Sequence, residues 1–594
     1  MTYAAPLEEM RFVLDRLAGL PQIAALPGFE DAQPDVVEAI LTEAARFASE
    51  VLAPLNATGD RQGCRWEAGR VTTPDGFPLA YRQFVDAGWH AMPVSPDIGG
   101  QGMPALLSSA VAEMWKSANL AFSLCQMLTI GAVEALAHHA SDELKARFLP
   151  KMVSGEWTGT MNLTEPQAGS DLSAVRTRAV PDGDHYRLVG SKIFITWGEH
   201  DVAENIIHLV LARLPDAPPG TRGISLFLAP KFLVDDDGGL GARNDLVCAS
   251  IEHKLGIHGS PTAVMSYGDN GGATAYLVGQ PNHGLEAMFT MMNHARLNVG
   301  LEGVAVAEAA YQKAVAYARA RVQGKPVGGV ERAAIIHHPD VRRMLMDMKA
   351  RTEAMRALAY VTAACMDRAR HHTGDAERRR SQGRVEFLTP VVKGWSTESS
   401  IMIASTGIQV QGGMGYVEET GAAQYMRDAR ITTIYEGTTG IQANDLIGRK
   451  LARDKGANAA ALIGDMQAEA AALASSNDPD LSVIGTALRA GVISFQVATE
   501  WLLANHDANP RETAAGAVPY LKLAGVVAGG WQMGRAARIA SGLIDAGDPA
   551  AAFLKGKIAT ARFYAEHVLP EAEACRLEVT AGAASTLMLA EASF

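Results

Sequence analysis

Residues Thr433 to Gln442 read Thr-Ile-Tyr-Glu-Gly-Thr-Thr-Gly-Ile-Gln, so Glu436 stands on a glycine-flanked turn beside small hydroxyl side chains. A carboxylate between the aromatic Tyr435 and a glycine can act as a general base, because burial raises a carboxyl pKa toward neutrality. The same carboxylate could instead neutralise the N-terminus of a following helix. From these residues alone both interpretations stay open.

A second informative stretch, Met161 to Asp171, reads Met-Asn-Leu-Thr-Glu-Pro-Gln-Ala-Gly-Ser-Asp. It lies where helical periodicity gives way to strand-like periodicity, and Gly169 frees its backbone. Exposed N–H groups in such a turn can bind an anionic or carbonyl-rich ligand, with the hydroxyls of Thr164 and Ser170 beside it. The alternative is an ordinary turn capped by an Asp or Ser side chain.

Two further segments could contact a flat or phosphorylated ligand. Lys192 to Gly198 (Lys-Ile-Phe-Ile-Thr-Trp-Gly) is an aromatic-rich strand end that could cover a planar cofactor, or it is a strand with core aromatics. Gln409 to Tyr416 (Gln-Val-Gln-Gly-Gly-Met-Gly-Tyr) is glycine-rich but lacks Gly-x-Gly-x-x-Gly after a strand, so we do not expect a Rossmann NAD site. Its glycines could let the backbone approach a nucleotide, or they end a helix.

Composition limits the class of protein. A chain of 594 residues is too long to fold around one hydrophobic core. At ~150 residues for each domain, its length predicts about four domains. With 48% hydrophobic and 20% charged residues, the chain is globular. The net charge of −12 disfavours nonspecific binding to nucleic acid or to anionic membranes. The five scattered cysteines show no zinc spacing or Cys-x-x-Cys pair, so we expect no metal site and a reducing compartment.

Hydrophobic periodicity divides the chain into five parts. Residues 1–35 are a short leader, and residues 36–159 have the spacing of a helical domain. Residues 160–281 contain short strands separated by Gly, Pro and Asp turns, which predicts a small antiparallel barrel or sandwich. Residues 282–455 return to the helical period, and residues 456–594 are an extra alanine-rich helical domain.

The N-terminus carries acidic residues and lacks the basic and apolar regions of a secretory signal. We find no convincing uncharged stretch of about 20 strongly apolar residues. The sequence therefore predicts a cytoplasmic protein.

In this order and at this separation, the segments resemble those of the acyl-CoA dehydrogenase family over roughly residues 36–450. The resemblance implies an α+β, mostly helical fold. In it an N-terminal helical domain, a central β-barrel domain and a C-terminal four-helix-bundle domain enclose FAD, here followed by an extra C-terminal helical domain. It also implies an assembly of at least two subunits, because one chain completes the FAD site of another.

The resemblance assigns roles residue by residue. Glu436 matches the catalytic base. The positions that match FAD contacts are Met161, Leu163, Thr164, Gly169, Ser170, Phe194, Ile195, Thr196, Arg321, Gln323, Gln409, Gln411, Gly412, Gly413, Thr438 and Gly440. The positions that match substrate contacts are Ser170, Asn293, Arg296 and Gly437. Taken singly, Arg296 and Arg321 could equally be solvated helix-surface arginines.

Four positions depart from the family pattern. Phe194 replaces a tryptophan, which keeps an aromatic wall but loses the indole N–H. The segment after Arg321 reads Val-Gln-Gly where the family has Lys-Thr-Phe-Gly, which weakens the role of Gln323. Gly440 lacks a common glutamine side chain, and Asn293 stands where an aspartate is common.

The implied reaction is FAD-dependent α,β-dehydrogenation of an acyl-CoA thioester to the trans-2-enoyl-CoA, with electrons passed to an electron-transfer flavoprotein. The leader, the C-terminal extension and Glu252 to Thr262 (Glu-His-Lys-Leu-Gly-Ile-His-Gly-Ser-Pro-Thr) resemble a bacterial long-form group. That group includes 3-methylmercaptopropionyl-CoA dehydrogenases, which implies conversion of that thioester to methylthioacryloyl-CoA in dimethylsulfoniopropionate catabolism.

Three alternatives remain: a medium- or long-chain fatty acyl-CoA dehydrogenase of β-oxidation, an acyl-CoA oxidase, and a non-catalytic DNA-binding relative. The acidic balance and the retained Glu436 argue against DNA binding. Very-long-chain enzymes carry a C-terminal extension that meets membranes. Here Ala457 to Ser476 contains no basic residue, which disfavours such docking.

Overall fold

The N-terminal part of the chain is helical in the computed structural model, which describes residues 3–235 and 238–594. Its helices are α1 (Leu7–Phe12), α2 (Leu20–Ala24), α3 (Pro34–Phe47), α4 (Ala53–Gln62), α5 (Phe77–Asp86), α6 (Ala105–Ala118), α7 (Leu120–His139) and α8 (Asp142–Val153). A hairpin of β1 (Arg65–Glu67) and β2 (Arg70–Thr72) interrupts them. Asn119 ends α6 and caps α7 by accepting a hydrogen bond from the Phe122 N–H.

The middle part is a sheet domain. Its strands are β3 (Trp157–Asn162), β4 (Arg178–Asp182), β5 (His185–Thr196), β6 (Asn205–Arg213), β7 (Ile224–Pro230), β8 (Phe232–Val234), β9 (Leu240–Arg243), β10 (Leu246–Ile251), β11 (Thr262–Tyr267) and β12 (Ala273–Val278). The main sheet has the order β10-β11-β5-β12-β7-β6-β3, with β4 against β5 and β6, while β8 and β9 form a separate hairpin. Most pairs are antiparallel as predicted, but β3 pairs with β6 in parallel.

The apolar run of β6 is explained by cores on both faces of its sheet. Leu209 and Leu211 pack into the main core shared with the helices, whereas Val210 and Ala212 face a second, smaller core among the strands. A strand buried on both faces is continuously apolar rather than alternating.

The C-terminal helical part begins with three long helices. They are α9 (Gly284–Ala320), α10 (Pro339–His371) and α11 (Asp375–Gln411), followed by α12 (Ala422–Thr432) and α13 (Thr439–Asp445). A buried ion cluster joins this part to α6, because Arg356 contacts Glu113 at 2.6 Å and Glu308 at 2.7 Å. Removing one member of such a cluster leaves a buried charge uncompensated.

The extra domain consists of α14 (Ala457–Ala474), α15 (Pro479–Asn505), α16 (Pro510–Ala515), α17 (Ala517–Asp545), α18 (Ala551–His567) and α19 (Glu571–Thr580). Helix α17 packs on α10 and α11. The leader is part of this assembly, since Lys557 of α18 donates to Glu9 at 2.7 Å and to Glu353 of α10 at 2.6 Å.

Among the residues that the structure describes, two helices, α7 and α15, are long and apolar enough to cross a membrane by length and composition alone. Most of the α7 stretch and half of the α15 stretch are buried against the rest of the protein. The sequence predicted neither helix as a membrane span. The core helices of large proteins can be apolar on all sides, and α7 fits that description.

Candidate active site

The turn between α12 and α13 carries Glu436 in a left-handed backbone conformation. Its φ is 55°, and Gly437 follows with a φ of 92°. A Cβ on Gly437 would lie 2.6 Å from Nε2 of Gln442, which donates to the Glu436 carbonyl at 3.0 Å. Positive φ is uncommon for residues other than glycine and persists where the surrounding contacts impose it. Such residues are concentrated at functional sites.

Helix α11 holds this turn from behind. The ammonium of the buried Lys393 donates to the Gly437 carbonyl at 2.7 Å. Thr439 donates to Glu398 at 2.6 Å, and Thr438 caps α13 by accepting from the Ile441 N–H at 3.3 Å. The Glu436 N–H has no hydrogen-bond partner among the residues that the structure describes. The same is true of the N–H groups of Gly437 and Thr438, so the turn offers three free backbone donors among the described residues.

The electrostatics of Glu436 suit a base. Its Oε2 atom is shielded from solvent and has no hydrogen-bond partner in the described part of the chain. Burial raises the pKa of Glu436 to about 7, while the cations Arg296 and Lys393 pull it down and Glu302 raises it further. A general base works best when its pKa lies near the operating pH.

A second buried carboxylate lies next to this turn. The Tyr435 hydroxyl donates to Glu302 of α9, and burial raises the pKa of Glu302 to about 7. The positive charge of Lys116 of α6 opposes this rise in the pKa of Glu302, and its ammonium donates to Asn298 at 3.2 Å. Burial lowers the pKa of Lys116 and of Lys393 to about 8 each. Two carboxylates and two ammonium groups therefore share a poorly solvated site.

Lys393, Glu302 and Lys116 were not predicted from the sequence. The sequence does contain a pattern that indicates buried charges at two of these positions. Glu302 interrupts an apolar run from Val299 to Val304, and Lys393 follows Pro-Val-Val. A lone charge inside a fully apolar helical stretch is rarely buried without a partner.

Arg296 lies close to Glu436 and not on the surface. It is 8% exposed, and its guanidinium approaches Asp445 of α13 at 3.3 Å. The interpretation of Arg296 as a solvated surface arginine is therefore wrong. The side chain of Asn293, one turn earlier on α9, lies outside the described part of the structure.

The Met161–Asp171 segment was predicted to lie where a helix gives way to a strand. In the structure it begins inside strand β3 and continues into the loop after that strand. Met161 is half-buried in β3, Leu163 is buried, and the Thr164 carbonyl accepts from the Ile193 N–H of β5 at 2.9 Å. Gly169 and Ser170 are exposed in the loop that follows.

On β5, Phe194 is 58% exposed although its neighbour Ile195 is 2% exposed, and Phe194 has a φ of 58°. Thr196 is half-buried. An aromatic ring held in a strained, outward conformation offers an open flat surface beside β3. The interpretation of this segment as an ordinary strand with core aromatics does not hold for Phe194.

A buried ion pair fixes β5 to the turn after β3. Lys192 donates to the Leu163 carbonyl at 3.0 Å and to Glu165 at 2.8 Å. Burial disfavours the ionised Glu165, but Lys192 and the hydrogen bonds from Thr177 and the Arg176 N–H lower its pKa to about 2. These two residues position the segment and were not assigned from sequence.

The remaining predicted residues form a third, separate group. Arg321 ends α9 and Gln323 lies in the next loop, and both are exposed. Gln409 is exposed, whereas Gln411 is buried and donates back to the Gly407 carbonyl at 3.4 Å.

The loop after α11 is open to a ligand at its glycines. A Cβ added to Gly412, which has a φ of 60°, or to Gly413 would meet no heavy atom within 4 Å among the described residues. Among the described residues, no hydrogen bond or ion pair joins Arg321, Gln323 or the Gln409–Gly413 segment to Glu436. Within one chain the structure thus brings Arg296, Glu436, Gly437, Thr438 and Gly440 together, but it leaves the α11 loop apart.

A cavity of about 260 Å³ lies between α6, α7 and α9. Lys116 and Asn298 line it, together with apolar side chains such as Met127 and Leu297. Because Lys116 also acts on Glu302, which accepts from Tyr435, the cavity adjoins the catalytic turn through these side chains. Its mostly apolar walls suit an apolar tail with few polar atoms.

Comparisons with known proteins agree with this arrangement. Sequence models of the family match along the chain: acyl-CoA dehydrogenase N-terminal domain at 34–156, middle domain at 160–269, C-terminal domain at 282–451, and acetyl-CoA dehydrogenase C-terminal like at 462–590.

Among similar curated proteins, 3-methylmercaptopropionyl-CoA dehydrogenase of Ruegeria pomeroyi is 49% identical over 98% of both chains. Butyryl-CoA dehydrogenase of Syntrophomonas wolfei is 36% identical over 96% of this chain and 95% of that protein. The solved structure of the Bacillus anthracis acyl-CoA dehydrogenase complexed with FAD has a TM-score of 0.74, 20% identity, and covers 96% of this chain and 91% of that one.

The mostly helical fold with a central sheet, predicted from the sequence together with an extra C-terminal domain, is confirmed. Full-length similarity at 49% and 36% identity shows the family as well as the fold. The chain therefore belongs to the acyl-CoA dehydrogenase family and is an FAD-dependent oxidoreductase of that family.

Proposed function

We propose that Glu436 removes the α proton of an acyl-CoA thioester and that the preferred substrate is 3-methylmercaptopropionyl-CoA, converted to methylthioacryloyl-CoA. The observation that carries the base assignment is a carboxylate with a pKa of about 7 on a strained turn, with one oxygen lacking a hydrogen-bond partner among the described residues. The substrate assignment rests on the full-length similarity to the R. pomeroyi enzyme.

The residues of the turn divide the work. The free N–H of Glu436 donates to the thioester carbonyl and so stabilises the negative charge that develops on its oxygen. Glu436 takes the α proton, and its raised pKa makes it a competent acceptor near neutral pH. The chemistry that FAD would supply, when bound, is acceptance of the β hydrogen as hydride. Lys393 and Gly437 keep the carboxylate and the N–H on one rigid turn.

The residues proposed to hold FAD fit a flat, phosphorylated group. The exposed ring of Phe194 offers a wall for a planar ring system, and Met161, Leu163, Thr164, Ile195 and Thr196 are the other residues proposed to meet it. Gly169 and Ser170 supply an open loop beside it, and Thr438 and Gly440 begin a helix near the base. Ser170, Asn293, Arg296 and Gly437 are the proposed substrate contacts.

We also propose a homodimer or a dimer of dimers. Gly412 and Gly413 are open, yet no hydrogen bond among the described residues joins Gln409–Gly413, at the end of α11 and the start of the loop after it, to Glu436. In this proposal the loop, together with Arg321 and Gln323, contacts the FAD of a second copy. The buried Gln411 then contributes through its backbone, because its side chain is already used.

The proposed electron acceptor is an electron-transfer flavoprotein, and the proposed location is the cytoplasm. The cavity of about 260 Å³ takes the acyl tail, and the choice of the four-atom thioether tail rests on the similarity to the R. pomeroyi enzyme. The second candidate is a short fatty acyl-CoA dehydrogenase, which the similarity to the S. wolfei butyryl-CoA enzyme favours.

The test is anaerobic bleaching of the enzyme-bound flavin by a panel of thioesters: 3-methylmercaptopropionyl-, butyryl-, octanoyl- and palmitoyl-CoA. Faster bleaching by the thioether substrate supports the proposal, and preference for a fatty acyl-CoA replaces it with the second candidate. Rapid peroxide formation in air identifies an oxidase. Salt-sensitive duplex DNA binding without any bleaching identifies a non-catalytic relative.

A further inference from the structure

A cleft rich in arginine lies where three parts of the chain meet. The leader contributes residues 17 and 18, the α10–α11 pair contributes Arg368, Arg380 and Arg384, and the extra domain contributes Arg535. We call the site formed by these four arginines the arginine cleft. Its volume is about 380 Å³, within the range of small-molecule sites.

The positive charge of the cleft is poorly compensated. Asp465 of α14 accepts from Arg380 at 3.0 Å and also from Arg384. Glu469, the other acidic side chain in the lining, is held by Arg538 in a two-point contact at 2.7 and 2.9 Å. The lining therefore holds four guanidinium groups and two carboxylates, and one of the two, Glu469, is bound by Arg538 while it also acts on Arg535, in a chain whose net charge is −12.

Two of the four arginines are satisfied by neutral groups. Arg368 donates to the Ala18 carbonyl at 2.8 Å, and Arg535 donates to the Leu17 carbonyl at 3.0 Å. Peptide carbonyls satisfy the N–H donors but leave the charges in place. Both arginines lie on helices that carry the domain contacts, so their charges are held in the cleft.

Arg384 shows the consequence of this crowding. Its Nε is shielded from solvent and has no hydrogen-bond partner among the described residues. Burial lowers the pKa of Arg384, and the like charges of Arg380 and Arg368 lower it further, although Cys365 and Glu377 oppose this. Glu377 is outside the cleft lining and accepts from Ser381 at 3.1 Å.

We propose that the arginine cleft binds a small molecule that carries a phosphate group, at a site separate from the acyl-CoA and FAD sites. Guanidinium groups bind phosphate through paired hydrogen bonds, and a doubly charged anion relieves the repulsion among them. Trp531 lies beneath Arg535, with 5.5 Å between the guanidinium carbon and the ring centroid, and gives the cleft an apolar wall. The ligand ties the extra domain to α10, α11 and the leader.

The alternative is that the arginines serve only as contacts between domains. In that case the carbonyl and carboxylate partners already satisfy the arginines. An added anion then does not bind at a specific site and affects the protein only by general ionic screening. The two cases differ in saturation, in stoichiometry and in dependence on individual arginines.

Pyrophosphate is the probe, titrated calorimetrically into the full-length, FAD-loaded enzyme at constant ionic strength. The proposal expects one saturable site per chain and a rise in Tm. Arg384→Gln is expected to weaken binding at least about tenfold, since it removes a charged partner of the anion and its hydrogen bonds. Arg379→Gln is the matched control, because it removes the same charge from an exposed position on α11 outside the cleft lining.

Arg380→Gln provides a second test if Arg384→Gln folds poorly, because the Arg380 side chain is 51% exposed. Heats that do not saturate, or equal weakening in Arg379→Gln, would each overturn the proposal. Pyrophosphate binding that Arg384→Gln leaves unchanged but acyl-CoA displaces would place the anion in the acyl-CoA site and would also overturn it. None of these readouts depends on which thioester the enzyme oxidises.

Discussion

The ammonium of Lys393 lies 2.7 Å from the carbonyl oxygen of Gly437, so helix α11 is fastened to the residue directly after the proposed base. Lys393→Met removes this bond and also a cation that lowers the pKa of Glu436. We expect the maximal rate of flavin bleaching to fall about 10- to 100-fold. The pH at which bleaching is half-maximal should also move upward.

Stopped-flow bleaching across a pH series measures both effects of Lys393→Met. Lys393→Arg is the control, because it keeps the positive charge and should hold the midpoint near that of the unmodified enzyme. A Lys393→Met profile that superimposes on the unmodified one would show that the contact is only structural.

Glu302→Gln should move the same profile in the opposite direction. The negative charge of Glu302 raises the pKa of Glu436, so its removal lets Glu436 ionise at lower pH. A glutamine still accepts from the Tyr435 hydroxyl, which preserves the local contact. A midpoint that stays in place or rises would contradict the coupling between the two carboxylates.

Glu436→Gln should keep FAD and lose bleaching by at least about a hundredfold, the usual contribution of a general base. The visible flavin spectrum reports the bound cofactor, and stopped-flow reduction reports the chemistry. Bleaching at an undiminished rate would assign the base to another residue.

The same variant makes a prediction about stability. The pKa of Glu436 in the folded protein, about 7, is above the ordinary value of 4.5. Stability from its protonated form is therefore present below pH 4.5 and lost as pH rises through about 7. Above that pH, Glu436→Gln should be more stable than the unmodified enzyme by about 1–3 kcal/mol, measured by denaturant unfolding. Equal stability at high pH would indicate that Glu436 remains well solvated.

Gly437→Ala should disrupt the catalytic turn. Its φ of 92° disfavours any side chain, and the new Cβ would lie 2.6 Å from Gln442 Nε2. We expect a loss of about 1–3 kcal/mol of stability and a fall in bleaching rate. Gly448→Ala, where a Cβ meets nothing within 4 Å, is the matched control and should be tolerated. Similar damage from both substitutions would remove the geometric explanation.

Lys192→Met should weaken FAD retention, because it leaves the buried Glu165 without its cation. Breaking a buried pair on one side costs about 3–5 kcal/mol. The double variant Lys192→Met/Glu165→Gln should recover part of the lost Tm, which a purely local packing defect would not allow. Flavin release during gel filtration measures retention directly.

The catalytic turn could be predicted from the sequence, because its chemistry is encoded in adjacent residues. The glycine beside Glu436 predicts a tight turn, and the structure has consecutive positive φ angles there. The residues that reach this turn from distant helices could not be predicted in the same way. Lys393 and Glu302 reach the site from α11 and α9, and in sequence each is a charge within a short apolar stretch of a helix that carries other charges.

The sheet illustrates the same limit. Alternating and continuous apolar runs predict strands, but they do not specify the partner, so the parallel pairing of β3 with β6 could not be read from them. Likewise, Gln411 has the residue type of a ligand contact, but its side chain donates back to Gly407 within α11. The roles assigned to individual FAD and substrate contacts remain predictions.

The bond between Glu9 and Lys557 spans nearly the whole chain and has a consequence for biosynthesis. On the ribosome, Glu9 emerges on the order of a minute before its partner at ~5–20 residues per second. During that interval the contact cannot form, because α18 has not yet been synthesised. The N-terminal segment therefore joins α10 and α18 in its final arrangement only when translation is almost finished, and a product that ends before α18 lacks this ion pair.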